Sequence, residues 1–191
     1  MARPSVKEQI VEAGMKCLLE KGFNGVGVQE ITAAAGVPKG SFYNHFESKE
    51  ALGAEVIDRY AATNPRRAIL RDTSRAPLER LRAYFKEMNK VLLDSNFGRG
   101  CILGNMSAEL ANQSEVIRGS LVNYYEGWTD ALASTIADAQ AVGEIKNKAP
   151  ARELAAFILD AYEGAVLRAR VERSNAPFER FTQLAIQQIL T

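Results

Sequence analysis

This 191-residue sequence predicts an all-α protein of about nine helices, and three observations carry that prediction. Apolar side chains recur at intervals of three and four along almost every stretch, which is the period of an amphipathic helix. Gly, Pro and Ser fall at the ends of those stretches, where helices start and stop. No stretch alternates apolar and polar residues for long enough to make a strand, and Val26-Gly27-Val28 is too brief to compete.

The elements follow in order. Val6–Lys21 sets Ile10, Ala13, Gly14, Cys17 and Leu18 on one face, and Gly22 stops the helix. Phe23–Gly27 is a glycine-punctuated loop. Val28–Ala35 is a second helix with Ile31 and Ala34/Ala35 turned inward. Gly36 turns the chain. Pro38 sits near the start of a short third helix, where its missing N–H costs nothing. Ser48 caps a long helix that runs from Lys49 towards Asn64, with Glu50 in its first turn, and Pro65 breaks it. Pro77–Asp94 carries Leu78, Leu81, Tyr84, Phe85, Met88 and Leu92 on its apolar face. After the Asn96–Gly100 loop come a short helix at Ile102–Ala111 and a long one from Ser114, as cap, to about Val142. Gly143 and Pro150 bracket a connection. A helix from about Ala151 to Ser174 follows, and Pro177 opens the last, Phe178–Leu190.

Composition narrows the class. Hydrophobic residues make up 47% and charged residues 25%, which suits a globular chain and argues against disorder. No apolar run reaches the length of a membrane span, and the first residues lack a signal-peptide stretch, so a cytoplasmic location with no membrane partner is expected. The net charge is +1, and residues 1–50 balance six Lys/Arg against six Asp/Glu. Gross charge therefore does not announce a nucleic-acid partner, and any such affinity must come from local placement. Two cysteines and a single histidine leave no metal-ligand spacing and no Ser-His-Asp arrangement in the body, so neither metal nor cofactor is expected.

The sharpest motif is Val37-Pro38-Lys39-Gly40-Ser41-Phe42-Tyr43-Asn44-His45-Phe46, preceded by the short helix at Gln29–Gly36. A short helix, a glycine turn and a second short helix bearing polar and aromatic side chains read as a helix-turn-helix. Phe42 and Phe46 lie four apart on one face, as core residues do. Lys39, Tyr43 and Asn44 fall on other faces. Gly40 allows close approach to a sugar-phosphate strand. Ser41 and Tyr43 offer hydroxyls to phosphates, Asn44 suits an adenine edge, and His45 suits either a phosphate or solvent. Lys49 and Lys39 are expected at phosphates, and Gln29 is a further candidate.

On these residues the sequence resembles the TetR/AcrR family of transcriptional regulators. Ile10-Val11-Glu12-Ala13, Glu20-Lys21-Gly22-Phe23, Val28-Gln29-Glu30-Ile31, the stretch Ala35–Phe46 and Ser48-Lys49-Glu50-Ala51-Leu52 carry the match across residues 6–60. Gly27 stands where many members place a Thr or Ser. Glycine caps a helix acceptably but brings no hydroxyl to a phosphate. The segment Gly100-Cys101-Ile102-Leu103-Gly104-Asn105 is similar to a branch that includes NemR-like sensors.

The resemblance implies a three-helix DNA-binding domain at residues 1–47 and a helical ligand-sensing and dimerisation domain at 48–191. It implies a homodimer on a double-stranded palindromic operator, and a small-molecule effector. Two C-terminal apolar stripes suit the dimer interface: Leu154, Phe157, Ile158, Ala161 and Ala165 with Val166, and Phe181, Leu184, Ala185 and Ile189. A buried intrachain core gives the same pattern. For the effector the candidates are Phe85, Met88, Cys101, Met106, Glu109, Tyr124, Tyr125, Trp128, Phe157 and Tyr162. A Met and aromatic set at helical spacing is equally the mark of plain core.

Cys17 faces the first helix's buried side and reads as inert. Cys101 precedes a helix and lies two residues from Arg99, and both features stabilise a thiolate. The function expected is thus a ligand-responsive, non-enzymatic regulator, a repressor released by a small molecule or by cysteine modification. The competing reading is a thiol-based redox enzyme using Cys101. Against it, no Cys-x-x-Cys occurs, and the only histidine lies in the helix-turn-helix.

Overall fold

A computed structural model describes residues 5–98 and 100–190. Among them it contains ten α-helices, a closing π-helical stretch and no strand, and the chain divides into two compact units. Arg99, expected beside Cys101, lies outside the described residues.

The first unit holds residues 1–63 and 101–124. Helix α1 (Val6–Lys21) starts under Ser5, whose hydroxyl accepts from the Glu8 N–H at 3.2 Å. It ends at Gly22, whose φ of 75° is the left-handed region that favours glycine. Its buried face carries Ile10, Val11, Ala13, Gly14, Cys17 and Leu18. A Cβ on Gly14 would lie 3.0 Å from Leu52 Cδ2, so this glycine sets how closely α1 meets α4 (Lys49–Thr63). Ser48 caps α4 as expected, its hydroxyl accepting from Ala51 N–H at 3.1 Å. Between them lie α2 (Val28–Ala34) and α3 (Lys39–Tyr43).

The inward set on α2 differs from expectation. Ile31 and Thr32 are buried, whereas Ala34 is exposed and Ala35 half-buried. Seven residues make only two turns, so the buried face is one pair wide. Thr32 is tolerated there because its hydroxyl bonds back to the Val28 and Gln29 carbonyls. The unit is completed by α7 (Ile102–Leu110) and the first part of α8 (Glu115–Ala141), which bury Ile102, Leu103, Met106, Leu110, Ile117 and Tyr124. Ser114 caps α8 through the Ile117 N–H at 3.3 Å.

The second unit holds residues 64–100 and 125–191. Its α5 (Arg67–Leu70) escapes sequence reading because one helical turn has no period to detect. A buried arginine fixes it: Arg80, on α6 (Pro77–Asp94), donates to the Leu70 carbonyl at 3.1 Å and to Asp138 at 3.0 Å. The core is aromatic. Phe85 lies 5.0 Å from both Tyr162 and Phe181, ring centre to ring centre, and Trp128 reaches Tyr162 at 6.5 Å. Tyr162 belongs to α9 (Ala151–Glu172).

The last helix is not one α-helix. It divides into α10 (Ala176–Phe181) and a π-helical stretch, Thr182–Ile189, closed by Leu190 N–H on the Ala185 carbonyl. Buried Phe181 and Ile186 stand five apart, as do Ala185 and Leu190. A five-residue repeat keeps these four side chains on one face, which a 3.6-residue turn does not. No described helix is long and apolar enough to cross a membrane.

Candidate nucleic-acid interface

The α2–α3 turn is built by the sequence around Gly36. Its φ is 68°; Val37 N–H donates to the Thr32 carbonyl and Gly36 N–H to that of Ala33, at 3.0 and 3.1 Å. This paired closure ends α2 and satisfies its last carbonyls. Pro38 then sits extended as the N-cap of α3. Phe42 and Phe46 anchor α3 from below, both buried, with ring centres 5.5 Å apart.

What remains on α3 faces outward. Lys39, Gly40, Tyr43, Asn44 and His45 are exposed, and Ser41 is half-buried. The Tyr43 ring packs edge-on to Phe42 at 5.3 Å and is still 58% exposed. A Cβ added to Gly40 would meet nothing within 4 Å, so no packing inside the chain accounts for this glycine. Gln29 is exposed on α2, and Gly27 caps that helix with extended backbone and no side-chain bond.

Lys49 is engaged within the chain. Its Nζ donates to the Phe23 carbonyl at 2.9 Å and the Val26 carbonyl at 3.0 Å, and it lies 4.1 Å from the centre of the Phe23 ring. The ammonium is directed to the α1–α2 loop. The partners are 26 and 23 residues away in sequence, so no local pattern signals the contact. Lys49→Ala is expected to cost about 2 kcal/mol, since hydrogen bonds to a charged group contribute roughly 1.5–3 kcal/mol. The thermal midpoint then falls by roughly 4–8 °C. The salt slope of DNA binding stays unchanged. A slope reduced by about one unit would return Lys49 to a phosphate.

Glu109 also has a partner within the chain: its Oε2 accepts the Asn24 N–H at 2.8 Å. The other effector candidates fall in both units. Met106 and Tyr124 are buried in the first, and Cys101 is the half-buried N-cap of α7. Phe85, Trp128 and Tyr162 are fully packed in the second, where Met88 and Tyr125 are half-buried. Phe157 is half exposed on the outer face of α9.

The C-terminal stripes sort into two groups. Leu154 and Ile158 are buried inside the chain. Phe157, Ala161, Leu184 and Ile189, with the buried Ala165, Phe181 and Ala185, line an open, largely apolar groove of about 360 Å³ together with Gly164, Arg168 and Arg180. Phe157 and Leu184 stand 50% and 44% exposed on it, a large apolar surface for a lone chain. A second groove, of about 710 Å³, is lined by Arg66, Arg75, Arg82 and Lys86 with Glu79 and Glu87. The Cys17 thiol is pushed above its ordinary value, first by burial and then by Glu30 and Glu20. Among the described residues no group of three or more His, Cys, Asp and Glu is placed to hold a metal.

Comparison with known proteins gives concordant matches. The profile described as "Bacterial regulatory proteins, tetR family" matches residues 10–56, and "Tetracyclin repressor-like, C-terminal domain" matches 77–185. The HTH-type transcriptional repressor DhaR of Mycobacterium sp. (strain GP1) is 38% identical, over 100% of this chain and 95% of its own. A solved regulatory protein TetR from Rhodobacter sphaeroides superposes with a TM-score of 0.88 at 34% identity, covering 97% of this chain and 99% of that one. The reduced form of Escherichia coli NemR superposes at 0.89 with 26% identity, covering 97% of each chain. None of these three is named for an enzymatic activity, and the thiol-enzyme reading finds no support among them.

Proposed function

This chain belongs to the TetR family of bacterial regulatory proteins, and from that premise we propose a dimeric, effector-released transcriptional repressor acting in the cytoplasm. The chain is a DNA-binding regulator and not an enzyme. The observation that carries the proposal is the outward face of α3. Lys39, Gly40, Tyr43 and Asn44 are exposed on a helix whose anchors, Phe42 and Phe46, are already buried. Ser41, His45 and Gln29 complete the surface offered to phosphates and base edges.

One such head touches too few base pairs for specificity. Two heads on a symmetric dimer read a palindrome, with recognition helices about one turn of DNA apart. The groove at Phe157 and Leu184 is the surface for that dimer. Residues 1–47 hold the DNA, and residues 48–191 sense and dimerise. Helix α4 leaves the head and ends at Thr63, one residue before the second unit begins, which makes it a lever for release. The repressor sign follows the similarity to DhaR and NemR, both transcriptional repressors. It is tested by placing the selected site beside a reporter promoter. Repression lowers the reporter when the protein is expressed, and an increase would make the chain an activator.

Two inputs suit the body: a small molecule bound in the helical body, or modification of Cys101 at the α7 N-terminus. The second is directly testable. Iodoacetamide should label Cys101 faster than the buried, proton-retaining Cys17, as mass spectrometry of the native protein reads. Cys101→Ser should bind DNA as the parent does but lose any release by electrophiles. Equal labelling of both thiols would assign Cys101 to packing and leave the non-covalent ligand as the input.

A further inference from the structure

The α1–α2 loop, between Lys21 and Val28, is gripped from two sides within the first unit. From α4, the Lys49 ammonium holds the carbonyls of Phe23 and Val26. From α7, the Glu109 carboxylate holds the Asn24 N–H at 2.8 Å. Glu109 Oε1 also lies 2.7 Å from where a Cβ on Gly22 would stand, so the carboxylate occupies space that only glycine leaves open. Phe23 and Val26 are buried beside these contacts, at 2% and 3% exposure. Gly53 on α4 is wedged in the same place, since a Cβ there would meet Ile117 Cδ1 at 2.6 Å, Phe23 Cε2 at 3.1 Å and Met106 Cε at 3.2 Å.

This loop is the only covalent link from α1 to α2, so its position helps to aim α2 and, through the Gly36 turn, α3. Helix α7 begins at the residue after Cys101, where the chain passes from the second unit into the first. A shift of α7 therefore reaches the loop by one charge-assisted hydrogen bond, without passing through α4. We propose that Glu109 is a positioning residue for operator binding, which couples α7 to the DNA-reading helices through the Asn24 N–H. The proposal rests on the regulator reading above and adds to α4 a second route of coupling. Coupling is reciprocal, so DNA on α3 must in turn restrain α7.

Hydrogen exchange of the full-length protein, with and without a saturating selected duplex, tests this. In the parent, the duplex should slow exchange at 39–46 and also at 102–110. Glu109→Ala should keep the first protection, lose the second and bind the duplex roughly tenfold more weakly. Glu109→Gln keeps an amide oxygen that accepts from Asn24 N–H, so it should restore both, which a residue acting only by its charge would not do. Protection of 102–110 in Glu109→Ala equal to the parent's would overturn the proposal, and so would its complete loss in Glu109→Gln. Should Glu109→Ala fail to fold, Glu109→Lys, which offers the Asn24 N–H no acceptor, takes its place in both readouts. A parent that protects neither segment with any duplex overturns the regulator reading along with this one.

Discussion

Leu184→Glu is expected to sediment as a monomer at concentrations where the parent is a dimer, and to lose operator binding with it. Leu184 is 44% exposed in the single chain and lines an apolar groove, so the fold tolerates a charge there. The dimer does not, because the carboxylate would be taken out of water among Phe157, Phe181 and Ile189, a desolvation that the groove's Arg168 and Arg180 offset only in part. A penalty of about 4 kcal/mol corresponds to roughly a thousandfold in the dimerisation constant. Operator affinity falls in parallel, since each half-site alone is weak. Val142→Glu is the control: Val142 is 65% exposed and apolar but lies outside the groove, and its variant should remain dimeric. An intact Leu184→Glu dimer in analytical ultracentrifugation would move the interface to another face.

Gly40→Leu is expected to separate stability from function with opposite signs. Gly40 lies in α3, and a Cβ there meets nothing within 4 Å. Replacing it should stabilise the helix by about 0.5–1 kcal/mol, because glycine loses more backbone freedom than other residues on folding. A leucine in its place holds α3 off the sugar-phosphate strand and withdraws Lys39 and Tyr43 from their contacts. Operator affinity should fall by about a hundredfold, or ~2.7 kcal/mol, and Gly40→Ala should lie between. Thermal melting and anisotropy titration read the two effects. Parental affinity in Gly40→Leu would mean that this part of α3 does not face DNA.

The sequence makes the periodic elements legible because their information is local. Ser48 and Ser114 cap the helices they precede, Gly36 turns where the motif requires, and Phe42 and Phe46 are buried as their four-residue spacing predicts. What stays hidden is either too short or too distant. Helix α5 is a single turn, and the π-helical end differs from an α-helix only in which residues line up. Lys49 and Glu109 look like surface residues because their partners lie 23–26 and 85 positions away. The C-terminal stripes are ambiguous in sequence for a different reason. Burial inside a chain and burial between chains select the same apolar residues, and only exposure divides Leu154 and Ile158 from Phe157 and Leu184.

Selection of duplexes from a random pool, followed by measuring how many chains the winning duplex holds, tests the central claim most directly. The account predicts enrichment of a palindrome whose half-sites are centred about one helical turn apart, occupied by two chains and lost with Gly40→Leu. No enrichment, or a site without two-fold symmetry that binds one chain, would contradict it.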